Sequence, residues 1–140
     1  MYALKTDASF DAAHFLSDYN GKCENLHGHR WKVVAHIQQQ SLATSGEERD
    51  MVTDFARFKA ALRAICAGFD HTFIVEEGSL KDSSIQALES ETFKLLMVPW
   101  RTTAENFARN IAEQLAEKGF DVARVEVYET PKNCAVYMPE

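Results

Sequence analysis

The chain has 140 residues, enough for one domain with a real core, and its 46% hydrophobic against 26% charged residues excludes a disordered polymer. A formal net charge of −6, with no run of Lys or Arg, argues against a nucleic-acid groove or an anionic membrane surface. Three cysteines at 23, 66 and 134 form no Cys-x-x-Cys pair, Met1–Asp7 has no signal-peptide character, and no apolar run nears the ~20 residues of a membrane span. The expectation is a single-domain cytoplasmic protein over residues 1–140.

Residues 2–14 alternate, with Tyr2, Leu4, Thr6, Ala8, Phe10, Ala12 and His14 on one face, which predicts a half-buried strand. Ser17–Lys22 carries Asn20-Gly21 and reads as a loop that delivers Cys23 to the next strand. That strand places His27, His29, Trp31, Val33, Ala35 and Ile37 on one face, with His36 solvated on the other. Residues 38–50 are polar and read as an exposed connection, after which Met51 and Val52 end a short strand.

Thr53 or Asp54 is a plausible N-cap for a helix whose Phe55, Phe58, Leu62, Ile65 and Phe69 recur at helical spacing, with Gly68 placed to stop it. Cys66 falls beside that apolar face as a small core residue. Asp70-His71 follows, then Thr72–Val75, and a second helical segment opens at Gly78-Ser79. Phe93–Val98 reads as a short strand or tight connection ended by Pro99. Thr102-Thr103-Ala104-Glu105 fits a capping box with Glu105 as its N3 carboxylate, heading a helix that Gly119 closes. Finally 122–128 and 134–138 form a hairpin, with Ala123, Val125, Val127 and Glu129 in one phase and Cys134 read as packing. A carboxylate on the inward phase is costly unless paired. Glu129 is therefore a candidate ligand-binding residue, with an exposed edge position as its alternative.

The chemistry concentrates at Cys23-x-x-x-His27-Gly28-His29. In a strand, positions i and i+2 share a face, so His27 and His29 can reach one ion, and Gly28 leaves room beside them. His14 ends the apolar phase of its own strand, and antiparallel pairing through the 15–26 connection brings all three imidazoles to one end. Three imidazoles with an open position are the ligand set of a catalytic zinc site. The alternative is three hydrogen-bonded core histidines. The donor set would also accept iron, nickel or copper.

Phe10-x-Ala12-Ala13-His14, Cys23-x-x-x-His27-Gly28-His29, Asp70-His71, Thr102-Thr103-x-Glu105-Asn106 and Glu129-Thr130 together resemble the 6-pyruvoyl-tetrahydropterin synthase family, in particular its bacterial branch. The resemblance implies an α+β tunnelling fold: a four-stranded antiparallel sheet with helices on one face, joined edge to edge into a trimeric or hexameric barrel. It implies Zn2+ on His14, His27 and His29, Cys23 as general base, and His71 oriented by Asp70 as the partner acid/base. Glu129, with Thr102 and Thr103, would hold the pterin. The implied reaction converts 7,8-dihydroneopterin triphosphate to 6-carboxytetrahydropterin, releasing acetaldehyde and triphosphate, in queuosine biosynthesis. Two alternatives stay open: triphosphate elimination to the 6-pyruvoyl product, and a non-catalytic zinc-dependent pterin-binding module.

Overall fold

Two long strands form the spine of the computed structural model, which describes residues 1–140. Strand β1 (Tyr2–His14) and strand β2 (His27–Gln39) pair antiparallel from Tyr2↔Gln39 to His14↔His27. Their shared alternation buries Phe10, Ala12 and His14 beside Trp31, Val33, Ala35 and Ile37, as the sequence phase predicts. Strand β5 (Val122–Thr130) pairs with β2, and β6 (Asn133–Tyr137) pairs with β5, both antiparallel.

The expected four-stranded antiparallel sheet is thus present as β1-β2-β5-β6, but the sheet has six strands. Two short ones, β3 (Thr72–Glu76) and β4 (Leu95–Val98), add in parallel beyond β1, giving the order β4-β3-β1-β2-β5-β6. The reason lies in 72–76 and 95–98. Each is too short and too apolar to stand alone, and each buries its side chains by extending the sheet. Strand β3 meets β1 only at Ala12 and Ala13, so most of the outer edge of β1 stays unpaired.

Helices α1 (Phe55–Phe69) and α3 (Ala104–Glu117) pack on one face of the sheet. Phe58, Leu62, Ile65, Cys66 and Phe69 of α1, and Phe107, Ile111 and Leu115 of α3, join a single core cluster with the inward residues of β1, β2 and β5. Helix α2 (Asp82–Ser90) buries no residue. Asp54 is the N-cap of α1, its carboxylate accepting from the Ala56 amide at 2.7 Å. Met51–Val52 forms no strand; Ala43 donates instead to the Met51 carbonyl within a loop.

Four local expectations shift. Gly68 lies inside α1 rather than stopping it, and the left-handed residue after the helix is His71, at φ 54°. The N-cap of α3 is Thr103, whose hydroxyl accepts from the Asn106 amide, so Glu105 stands one position before N3. A bulge opposite His36/Ile37 puts Val122 rather than Ala123 in the buried phase. Cys134 is exposed on the edge strand, whereas Cys66 is buried as expected.

Candidate metal centre

The antiparallel register sets His14 directly opposite His27 at the open end of β1 and β2, with His29 one pleat further in. Ring centroids lie 4.6 Å apart for His14–His27, 4.8 Å for His27–His29 and 5.3 Å for His14–His29. Trp31 closes the floor, packed edge-on to His14 and His29 and fully buried.

Hydrogen bonds decide which nitrogens face inward. The Nδ1 of His14 lies 2.9 Å from the Thr102 carbonyl, and the Nδ1 of His27 lies 2.6 Å from the Asn25 carbonyl. A carbonyl only accepts, so each Nδ1 carries the proton and each Nε2 keeps its lone pair. The Nε2 atoms of His14, His27 and His29 are all buried without a hydrogen-bond partner. Three unpartnered buried nitrogens so close together, those of His14 and His27 held as acceptors, are costly in a finished core. They fit a bound metal ion, which would satisfy all three.

Glu129 completes the donor set. The pairing of β5 with β6 passes from Tyr128↔Cys134 to Thr130↔Asn133, so Glu129 occupies a bulge that re-aims its side chain. Its Oε1 lies 3.3 Å from Nε2 of both His14 and His29, without hydrogen-bond alignment to either. The donor atoms of His14, His27, His29 and Glu129 all fall within 4.8 Å of one another. Burial lowers the pKa of His29, which favours the neutral, metal-ligating form. Expected only to border the pocket, Glu129 is thus also within reach of a metal.

Cys23 sits half-buried on a 3-10 turn, Lys22–Glu24, anchored where the Leu16 amide donates to the Cys23 carbonyl at 2.9 Å. It is outside the four-donor cluster. Asp70 ends α1 with one carboxylate oxygen accepting from the Asp11 amide at 2.8 Å and the other 2.8 Å from His71 Nδ1. That bond leaves His71 Nε2 free, and the ring is largely exposed. The Asp11 amide first, and His71 after it, hold the Asp70 carboxyl below its usual range. His71 shares a cleft of about 430 Å3 with Gly28, His29 and Arg30. Within one chain, no hydrogen bond joins Cys23 to the Asp70–His71 pair.

Thr102 is fully buried, and the Thr103 hydroxyl oxygen accepts from Asn106 in the α3 cap. The Asn25 and Thr102 carbonyls and the Asp11 amide carry no sequence signal, because backbone groups are common to every residue. His36, expected in solvent, is instead 2.8 Å from Glu126, which also pairs with Arg124.

Residues 3–140 match the family described as 6-pyruvoyl tetrahydropterin synthase. The chain is 36% identical over 143 residues to a 6-carboxy-5,6,7,8-tetrahydropterin synthase from Haemophilus influenzae, covering 98% of this chain and 99% of that one. A protein of the same name from Rickettsia bellii is 33% identical, at 91% and 92% coverage. Among solved structures, an uncharacterized protein from Wolinella succinogenes superposes with TM-score 0.79 at 22% identity, over 99% of this chain and 98% of that one. A Plasmodium vivax 6-pyruvoyltetrahydropterin synthase does so at 0.70 and 22%, over 97% and 96%. The register-matched histidines and the match along nearly the whole length lead to one conclusion: the chain belongs to the 6-pyruvoyl tetrahydropterin synthase family.

Proposed function

We propose that this protein is a metal-dependent lyase that converts 7,8-dihydroneopterin triphosphate and one water to 6-carboxy-5,6,7,8-tetrahydropterin, acetaldehyde and triphosphate, within queuosine biosynthesis. The observation that carries the proposal is the set of three orphaned Nε2 atoms, set beside full-length relatives named for this reaction. His14, His27 and His29 would hold the ion, and zinc is the best match to three imidazoles with an open position. Bound there, it supplies Lewis acidity toward the side-chain oxygens of the substrate.

The protein's own groups handle binding and protons. Glu129 offers two acceptor oxygens to the N–H edge of the pterin, a charge-assisted pairing. Thr103 keeps a hydroxyl proton to donate nearby, and Thr102 lies in the same corner. Cys23, as thiolate, takes a proton from a side-chain carbon of the substrate. His71 returns one through Nε2, its ring oriented by Asp70 at Nδ1. No hydrogen bond joins Cys23 to His71 within one chain, and a working site that takes one of them from a neighbouring copy is part of this reading. The unpaired outer edges of β1 and β6 suit such a trimeric or hexameric barrel.

Mixing the metal-loaded protein with 7,8-dihydroneopterin triphosphate and assaying acetaldehyde tests the reading. Acetaldehyde in step with triphosphate supports it. Triphosphate without acetaldehyde points to the 6-pyruvoyl product, and pterin binding with neither product to a binding module.

A further inference from the structure

The corner between β4 and α3 holds a threonine placed against the metal ligands. Thr102 is 1% exposed, so its hydroxyl has no surface to offer a substrate. Its Oγ1 donates to the Phe15 carbonyl at 3.1 Å, just past the end of β1. The same oxygen lies 3.2 Å from His14 Nδ1, and the Thr102 carbonyl lies 2.9 Å from that nitrogen. The Phe15 carbonyl can only accept, so the hydroxyl proton is spent there and the hydroxyl meets His14 as an acceptor. His14 Nδ1–H therefore donates into two acceptors of one residue, and its Nε2 lone pair is aimed at His27, His29 and Glu129. The corner itself is held in place: Arg101 donates to the Ser17 carbonyl at 2.6 Å, and Asn106 donates to the Arg101 carbonyl at 2.9 Å.

We infer that Thr102 is a positioning residue of the metal centre: its hydroxyl ties the 101–103 corner to the end of β1 and gives His14 Nδ1–H a second acceptor, holding the ring in place while the Thr102 carbonyl sets the tautomer that ligates through Nε2. This rests on the three-histidine metal reading and reassigns Thr102 from the substrate to the metal. His27 has its own lock in the Asn25 carbonyl, whereas His29 Nδ1 makes no hydrogen bond. His14 is the ligand whose orientation depends on a side chain, and so the one a substitution can loosen.

The test uses zinc affinity and histidine tautomers, not turnover. Groups that orient a metal-bound imidazole typically contribute 10- to 100-fold in metal affinity. Thr102→Val keeps the shape and the carbonyl but loses the hydroxyl, so zinc affinity, read by competition with a chromophoric chelator, should fall about tenfold, the low end of that range. Thr102→Ser, which retains the hydroxyl, should restore it. Far-UV circular dichroism and urea unfolding of the apo-proteins separate a metal effect from a folding defect. Long-range 1H–15N spectra of wild-type apo-protein should place the His14 proton on Nδ1, a readout that needs no variant. Valine and wild-type proteins with equal zinc affinity would overturn the inference while leaving the metal site intact; a His14 proton on Nε2 would overturn the inference and count against the orphaned-acceptor reading of the metal site as well. Wild-type protein that binds no zinc would overturn the metal reading itself.

Discussion

At the scale of single residues, Cys23 and Glu129 divide the work that the three histidines leave undone. Cys23 stands outside the donor cluster, so Cys23→Ala should keep its metal and bind pterin yet turn over slowly. Loss of a general base typically costs about 10²–10⁴ in rate. Stopped turnover measured beside metal content checks this; a variant that loses its metal would make Cys23 a ligand instead. Glu129 is the sharper case, since its carboxylate stands 3.3 Å from two ligand nitrogens and is also the proposed pterin anchor. Glu129→Gln presents an amide donor to pterin donors, and an unpaired buried donor costs about 1–3 kcal/mol. Biopterin affinity should fall roughly ten- to a hundredfold. Three imidazoles suffice to hold zinc, so metal stoichiometry should stay unchanged. Unchanged biopterin titrations alongside lost zinc would assign the carboxylate to the metal alone.

At the scale of elements, the junction of α1 with β3 carries the Asp70–His71 pair. The chain turns there through a left-handed His71, a conformation unfavourable for a side chain with Cβ and stored where the backbone is held on both sides. The His71 amide donates to the Asp11 carbonyl at 2.7 Å, and the Asp11 amide donates back to Asp70. This reciprocal pair fastens the helix end to β1. The Asp70 carboxyl has its folded pKa below the ordinary 3.8, chiefly through the Asp11 amide. Its stabilisation is therefore complete above that ordinary value and is lost as pH falls through the lower folded value. Asp70→Asn should flatten the acid limb of stability against pH. Urea unfolding followed by tryptophan fluorescence between about pH 3 and pH 6 measures it. Parallel curves for the two proteins would show that the carboxylate contributes nothing through its charge.

At the scale of the molecule, the sheet is open at both sides. The outer edge of β1 is covered by β3 only at Ala12 and Ala13, and β6 presents Val136 on an exposed edge. Two unpaired edges on one sheet invite head-to-tail pairing between copies, and a ring closes where the rotation allows. Sedimentation equilibrium should return about three or six times the 15.8 kDa chain mass. A monomer that is fully active would place the whole site within one chain. No helix is long and apolar enough to cross a membrane.

Strand phase was legible in the sequence because the period of two is a local property. Tyr2–His14 and His27–Ile37 each carry their buried face in their alternation, and antiparallel pairing in that shared phase brings three imidazoles to one end. Helices α1 and α3 were equally plain, since an apolar stripe at helical spacing needs only local residues to be seen. Tertiary structure alone decided the rest. Short apolar runs such as 72–76 and 95–98 carry no period long enough to reveal their partners, so the parallel extension to six strands appeared only in the fold. Bulges at Ala123 and Glu129 shift phase by one residue, and a local pattern cannot register a residue its partner strand skips. The capping box moved from Thr102 to Thr103 because Thr102 is taken by His14, 88 positions away in the chain. Backbone carbonyls choose the tautomers of His14 and His27, and no side-chain sequence records where a carbonyl will point.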